Sequence, residues 1–126
     1  CEKYEDNAAL SPFIRPLTEA LERLVTATQW LMRHAISNPD NGGAVSTDYL
    51  YMMALVTLGY QWAQVARICE NQLSNPDDDS FDRQFYRNKL IAAEFFMEKV
   101  LPETMAHLAK IQAGADSLMA LDAEAF

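Results

Sequence analysis

The sequence predicts an all-α protein, an antiparallel up-down bundle of three long helices, or of four if Pro102 breaks the third. Apolar residues recur at helical spacings of three and four in three long segments. Two short clusters of turn-forming residues separate these segments, which makes sequential helices antiparallel. The 126 residues include only 4 Gly and 5 Pro, too few for a loop-rich fold, and no segment alternates strictly as a strand does.

The first helix is predicted over residues 14–37, after a flexible lead-in over residues 1–10. Ser11 has the side chain of an N-cap and Pro12 suits the first turn, whereas Pro16 is expected to delay the regular helix. One apolar stripe then recurs at spacings of four and three, and it comprises Leu17, Leu21, Leu24, Thr28, Leu31 and Ala35. This pattern is typical of a helix with one face in a core.

The second helix is predicted over residues 46–72, after a turn from Asn38 to Gly43 that contains Pro, Asp, Asn and Gly. Its first half, from Tyr49 to Val56, is apolar on almost every side, which indicates burial on more than one face or contact with another domain. Gly59 costs about 1 kcal/mol in mid-helix relative to Ala. A small residue there suggests that a neighbouring helix approaches closely.

The third helix is predicted over residues 80–113 and is followed by a tail over residues 114–126. The three aspartates Asp77–Asp79 precede it and favour the positive end of its dipole. Pro102 either kinks this helix or begins a fourth one. Gly114 is a natural stop.

Charge and cysteine content exclude several classes of function. Acidic residues outnumber basic ones by 18 to 10, which gives a net charge of −8. This surface repels phosphate backbones and anionic lipids, so we predict no nucleic-acid partner and no membrane-surface role. No apolar run reaches the roughly 18 residues of a membrane span. Cys1 and Cys69 have neither metal nor redox spacing, so we interpret them as reduced thiols and predict a cytoplasmic protein.

The sequence contains no convincing catalytic or metal-binding constellation. Glu94 and Glu98 lie one turn apart, but paired carboxylates need a cleft and contrasting environments for acid–base work, so a solvated helix face is the preferred interpretation. Glu103 and His107 have a spacing that could hold a metal, yet the two-helix Glu-x-x-His repeat of di-iron bundles is missing. We therefore predict no catalytic, cofactor-binding or metal residue.

An interdomain or subunit interface is predicted instead. The apolar start of the second helix, with the 6 methionines and 2 tryptophans of the chain, suits adaptable packing against a partner. The predicted interface residues are Tyr49, Met52, Met53 and Trp62.

Several groups of residues occur in an order that is informative as a whole. These groups are Ala54–Ala63, Phe85-Tyr86, Lys89-Leu90, Ala93, Phe95-Phe96, Leu101-Pro102-Glu103 and Gly114–Met119. Taken in order, they resemble the extreme C-terminal helical domain of a subgroup of bacterial acyl-CoA dehydrogenases, which includes enzymes for methylthiopropionyl-CoA. The similarity covers most of the chain from Val45 to Phe126, and the first helix matches in pattern more than in wording.

This resemblance implies a longer parent enzyme with an N-terminal helical domain, a central β domain and a FAD-binding helical domain. Such enzymes oxidise an acyl-CoA to the trans-2-enoyl-CoA: a glutamate base removes the α proton and the flavin accepts the β hydride. The base and the main flavin contacts belong to the preceding domains, so no catalytic residue is carried over to this chain.

We therefore expect a single helical domain, a C-terminal fragment that serves structure or assembly. Its expected partners are the preceding catalytic domains and further copies in a homo-oligomer, and acyl-CoA is the substrate of the parent. The alternative is a stand-alone helical module that binds a partner protein in a groove. A native gene that encodes only this domain would favour that alternative.

Overall fold

The computed structural model describes residues 8–75 and 80–125, and these residues form an all-α bundle of three arms that run up, down and up. The predicted fold class is confirmed. The third arm is bent and consists of two α-helices joined by a π-helical turn. The elements are α1 (Ser11–Ser37), α2 (Pro39–Leu73), α3 (Ser80–Phe95), the π-helical turn (Phe96–Val100), α4 (Glu103–Ala113) and a short 3₁₀ turn (Ala123–Ala125).

Helix α1 begins earlier than predicted, at Ser11 and not at residue 14. The N-cap is Leu10, without a side-chain cap bond, so Ser11 is the first helical residue and its predicted capping role is wrong. The carbonyl of Leu10 accepts from the N–H groups of Phe13 and Ile14, both at 3.0 Å. Pro16 lies inside the helix and does not delay it, although a proline there removes one intrahelical hydrogen bond.

Helix α2 begins at Pro39, so the predicted start at residue 46 is wrong. Asn38 is the only residue between α1 and α2, and its side-chain oxygen accepts from the N–H of Asp40 at 3.1 Å. The turn-forming residues therefore initiate a helix, with Asn38 as N-cap and Pro39 in the first turn. A Cβ on Gly42 would lie 3.6 Å from Cβ of Ala35, an ordinary van der Waals contact, so α1 and α2 are in contact at this point.

Pro102 bends the third arm without a loop. In the π-helical turn that precedes it, the N–H of Leu101 donates to the carbonyl of Phe96 at 2.9 Å, five residues back where an α-helix would use four. A wider turn accommodates the proline, which has no N–H and whose ring crowds the carbonyl four residues back. Helix α4 starts directly afterwards at Glu103.

The core lies in two clusters along α2. One is built around Phe13, Ala63, Ala66 and Met97. The other lies nearer the α1–α2 connection and comprises Ala27, Val45, Met52 and Ile111. Both clusters draw on α1, α2 and the third arm, so α2 is the central helix.

Gly59 sits where side chains of the other two arms approach α2 closely. A Cβ on Gly59 would lie 3.2 Å from Cδ1 of Leu17 and 3.3 Å from Cδ1 of Leu101. Both distances are tighter than ordinary carbon contacts. The expectation that a small residue admits a neighbouring helix here is confirmed.

Polar contacts tie the arms together around the second cluster. The hydroxyls of Thr28 and Tyr49 share a hydrogen bond of 2.8 Å between α1 and α2. Asp48 and His107 meet at 2.8 Å between α2 and α4. These contacts fix the three arms relative to one another.

The end of α4 is anchored to the start of α2. Gly114 is the C-cap with φ 66°, a left-handed conformation that favours glycine, and a Cβ there would lie 3.0 Å from Oδ1 of Asn41. That same oxygen accepts from the N–H of Ala115 at 3.0 Å. The predicted roles of residues 1–7 and of Asp77–Asp79 lie outside the described residues.

Candidate docking surface

Two open grooves flank the C-terminal half of α2. One lies between α1 and α2, has a volume of about 420 Å³ and is called the α1–α2 groove here. The other lies between α2 and α3, has a volume of about 470 Å³ and is called the α2–α3 groove. Both volumes fall in the range of ordinary ligand or side-chain pockets.

The floor of the α1–α2 groove is almost entirely hydrocarbon. Helix α1 contributes one stripe of apolar side chains, and α2 runs antiparallel to it with a second. The side chains in the lining that carry polar groups are Thr18, Thr57, Tyr60, Gln64 and Arg67. The hydrocarbon floor includes Leu10, Ile14, Leu17, Leu21, Val56 and Ala63.

Arg67 is the one cation in the lining of this groove. Its Nε atom is buried and has no hydrogen-bond partner. Arg67 also makes no ion pair with any residue in the described parts of the chain. A buried donor without an acceptor is unfavourable, so this guanidinium is suited to a ligand that brings an acceptor.

An apolar seam continues from the α1–α2 groove along both helices. On α1, Leu21 and Val25 are exposed, 42% and 49% respectively. On α2, Met53 and Tyr60 are exposed, 44% and 53%. These α2 positions belong to the series 53, 57, 60, 64 and 67, whose alternate steps of four and three keep them on one face of the helix.

Helix α2 carries no charge between Asp48 and Arg67, a run of eighteen residues from Tyr49 to Ala66. Several of these uncharged side chains are exposed, including Leu50 and Tyr51. The centres of protein interfaces are depleted in charge and enriched in aromatic residues and Met. This surface of α2 has that composition.

The four predicted interface residues occupy different environments. Met52 is fully buried in the second core cluster, so it does not reach the surface and its predicted place in an interface is corrected. Tyr49 is half-buried and bonded to Thr28, whereas Met53 is exposed on the seam. Trp62 is half-buried, lines the α2–α3 groove and packs on Phe96 with ring centroids 6.4 Å apart.

Arg67, Tyr60 and Leu21 were not among the predicted interface residues. Leu21 belongs to the apolar stripe that the sequence shows on α1, and Tyr60 belongs to the uncharged run of α2. No pattern in the sequence distinguishes Arg67.

The α2–α3 groove contains the buried thiol of Cys69. Burial raises the pKa of this thiol; the ammonium of Lys89 partly offsets that effect and the carboxylate of Glu70 adds to it. A thiol with a raised pKa is mostly protonated and a poor nucleophile. Cys69 therefore acts as a small apolar side chain in this groove.

The acidic pairs considered from the sequence do not form a cleft. Glu94, Glu98 and Glu103 are exposed on helix surfaces. His107 pairs with Asp48, not with Glu103. In the described ranges 8–75 and 80–125, no three His, Cys, Asp or Glu side chains come together in a group that could hold a metal ion.

The described residues do not fit a flavin site of their own. Dinucleotide pyrophosphates are bound by glycine-rich turns at free helix N-termini. Gly42 and Gly43 lie inside α2, and the N-terminus of that helix is capped by Asn38. The linings of both grooves are mainly hydrocarbon or aromatic, with Arg67 and Lys89 as their cations.

A search of the described helices for membrane spans found none that is both long enough and apolar enough to cross a bilayer.

Comparison with known proteins gives one family. The family model described as "Acetyl-CoA dehydrogenase C-terminal like" matches residues 1–122. No curated protein matches the chain.

Proposed function

This chain belongs to the family of C-terminal domains of acyl-CoA dehydrogenase-like proteins, and from that premise we propose that it is the assembly domain of a FAD-dependent acyl-CoA dehydrogenase. The parent enzyme would oxidise an acyl-CoA to the trans-2-enoyl-CoA. The observation that carries the proposal is the family match over residues 1–122. The structure supports an assembly role through the open apolar seam on α1 and α2.

In this proposal the chemistry belongs to the preceding domains. The glutamate base and the residues that hold FAD would lie there, because the described residues of this chain form no such site. This domain would contribute a contact surface for the rest of the enzyme. Of the predicted interface residues, Met53, Tyr49 and Trp62 are at least partly exposed. Homo-oligomerisation of the parent and a cytoplasmic location are parts of the same proposal.

The test is the intact mass and absorption spectrum of the native gene product, captured with an antibody against this domain. We expect a yellow protein several times heavier than the 14.2 kDa chain, which oxidises acyl-CoA when an electron acceptor is supplied. A colourless protein of about this mass would overturn the proposal and leave a stand-alone helical binding module.

A second test addresses the assembly role. Substituting Met53→Glu in the full-length protein should place a charge in the apolar seam and weaken domain docking, as measured by limited proteolysis and by oligomer size. Arg87→Glu, on an exposed position of α3, is the control. Unchanged docking in a folded Met53→Glu protein would contradict the assembly role of this surface.

A further inference from the structure

We propose that the α1–α2 groove receives one amphipathic helix from the preceding part of the same polypeptide, and that a carboxylate on this helix pairs with Arg67. The occupant would present apolar side chains at positions i, i+3 or i+4, and i+7. The inference rests on the proposed function, because it requires a longer polypeptide, and it adds the location and chemistry of the contact.

The shape of the groove specifies a helix. Its two walls are antiparallel helices whose lining positions follow alternate steps of three and four, as in Ile14, Thr18 and Leu21 on α1. A third helix can pack its own ridge of side chains into such a seam. A volume of about 420 Å³ admits a short row of large apolar side chains, which matches the anchors that amphipathic helices place in grooves.

The positive charge of Arg67 favours a bound helix that carries a carboxylate. Arg67 is the one cation in a mainly hydrocarbon lining, and its buried Nε lacks an acceptor. A guanidinium fork matches a carboxylate in geometry as well as in charge. An occupant that carries only apolar side chains would cover this cation and leave it unpaired, which is unfavourable.

The position of Leu10 favours an occupant from the same polypeptide. Leu10 is the residue that leads into α1, and its buried side chain lines the groove near Arg67. Leu10 therefore brings the described start of the chain to the groove, and a helix tethered upstream of it would have a high effective concentration there. A second copy of the chain brings a net charge of −8 to a partner of the same charge, which opposes association.

The decisive experiment is site-specific photo-crosslinking in the full-length gene product. The photoreactive residue p-benzoylphenylalanine replaces Tyr60, which is 53% exposed and lines the groove. The matched control places it at Ile91, which is 63% exposed on α3 and lies in neither groove lining. Peptide mapping after irradiation identifies what touches each position.

The expected result is a dominant crosslink from position 60 to an upstream peptide with helical apolar spacing and an Asp or Glu. Position 91 should not crosslink to that peptide. A crosslink from position 60 to a second copy of this domain would overturn the inference and identify the seam as a subunit interface. A crosslink yield from position 60 no higher than that from position 91 would also overturn the inference. It would show that nothing occupies the groove.

Arg67→Met tests the carboxylate in the same assay. It keeps most of the side-chain volume and removes the charge, so the crosslink yield from position 60 should fall several-fold while circular dichroism shows a retained fold. Arg87→Met, an exposed arginine on α3, should leave the yield unchanged. Replacing the mapped acidic residue with Arg should restore the yield in an Arg67→Glu background.

Flavin content and acyl-CoA oxidation of the same preparation separate this inference from the proposed function. A colourless protein that still gives the upstream crosslink would refute the flavoenzyme and keep the docked helix. A yellow, active protein without that crosslink would keep the enzyme and refute the docked helix.

Discussion

Two adjacent stripes on α2 have the same helical spacing and opposite environments. The inner stripe passes through Met52 and Gly59, and it is buried against α1 and the third arm. The outer stripe lies one residue ahead, passes through Met53 and Tyr60, and is open. The comparison shows that the chain covers one side of its central helix by itself and leaves the other side exposed.

The two stripes should differ most in how much the free energy of unfolding falls when a methionine is replaced. The neighbouring residues Met52 and Met53 give this comparison. Met52→Ala should reduce the free energy of unfolding by about 2–5 kcal/mol, because it leaves a cavity in a fully buried cluster. Met53→Ala should change it by less than about 0.5 kcal/mol, because that side chain is 44% exposed. Urea denaturation measures both, and equal losses would erase the distinction between inner and outer stripes.

A smaller difference is expected at the next pair. Gly59→Val should reduce the free energy of unfolding by about 1–3 kcal/mol, because its side chain would have to displace Leu17 and Leu101. Tyr60→Val, on the outer stripe, should remain within about 0.5 kcal/mol. Thermal unfolding followed by circular dichroism gives the comparison. A stabilised Gly59→Val protein would show that the helix propensity gained outweighs crowding at the close approach.

The smallest effect is the pH dependence of stability that comes from Cys69, which is buried on α2. Burial raises the pKa of the folded thiol, so the unfolded state releases this proton at a lower pH than the folded state. The contribution of Cys69 to the free energy of unfolding is therefore constant below the ordinary thiol pKa. It decreases as pH rises from the ordinary pKa through the pKa of the folded thiol. The Cys69→Ala protein should lack this part of the loss of stability at alkaline pH.

Urea midpoints of the wild-type and Cys69→Ala proteins, measured from neutral to alkaline pH, isolate the effect because all other groups titrate in both. The two curves should run parallel near neutrality and converge towards high pH. Parallel curves throughout would show that the thiol titrates alike in the folded and unfolded states.

The bundle could be predicted because it follows from local patterns, whereas the docking surface could not. Leu17 and Leu24 recur at helical spacing and pack against the core, so periodicity was sufficient. The start of α2 was missed because Asn38 and Pro39 favour a turn and a helix start alike.

The interface prediction failed at Met52 for a related reason. An apolar run shows that a helix is covered, but not which of its side chains the same chain covers. Met52 and Met53 are chemically identical and differ only in their direction from the helix axis. Arg67 likewise becomes notable only when its neighbours in space are known, because its buried Nε lacks an acceptor there.

The π-helical turn at Phe96–Val100 lets the third arm hold one residue more than a continuous α-helix would hold there. Because the wider turn takes up this residue, α3 and α4 keep nearly the relative phase of one continuous helix, and Thr104 and Ile111 on α4 are buried. Deletion of one residue here should therefore close a regular α-helical turn and leave both side chains in the core, while Pro102 loses the room that the wider turn provides.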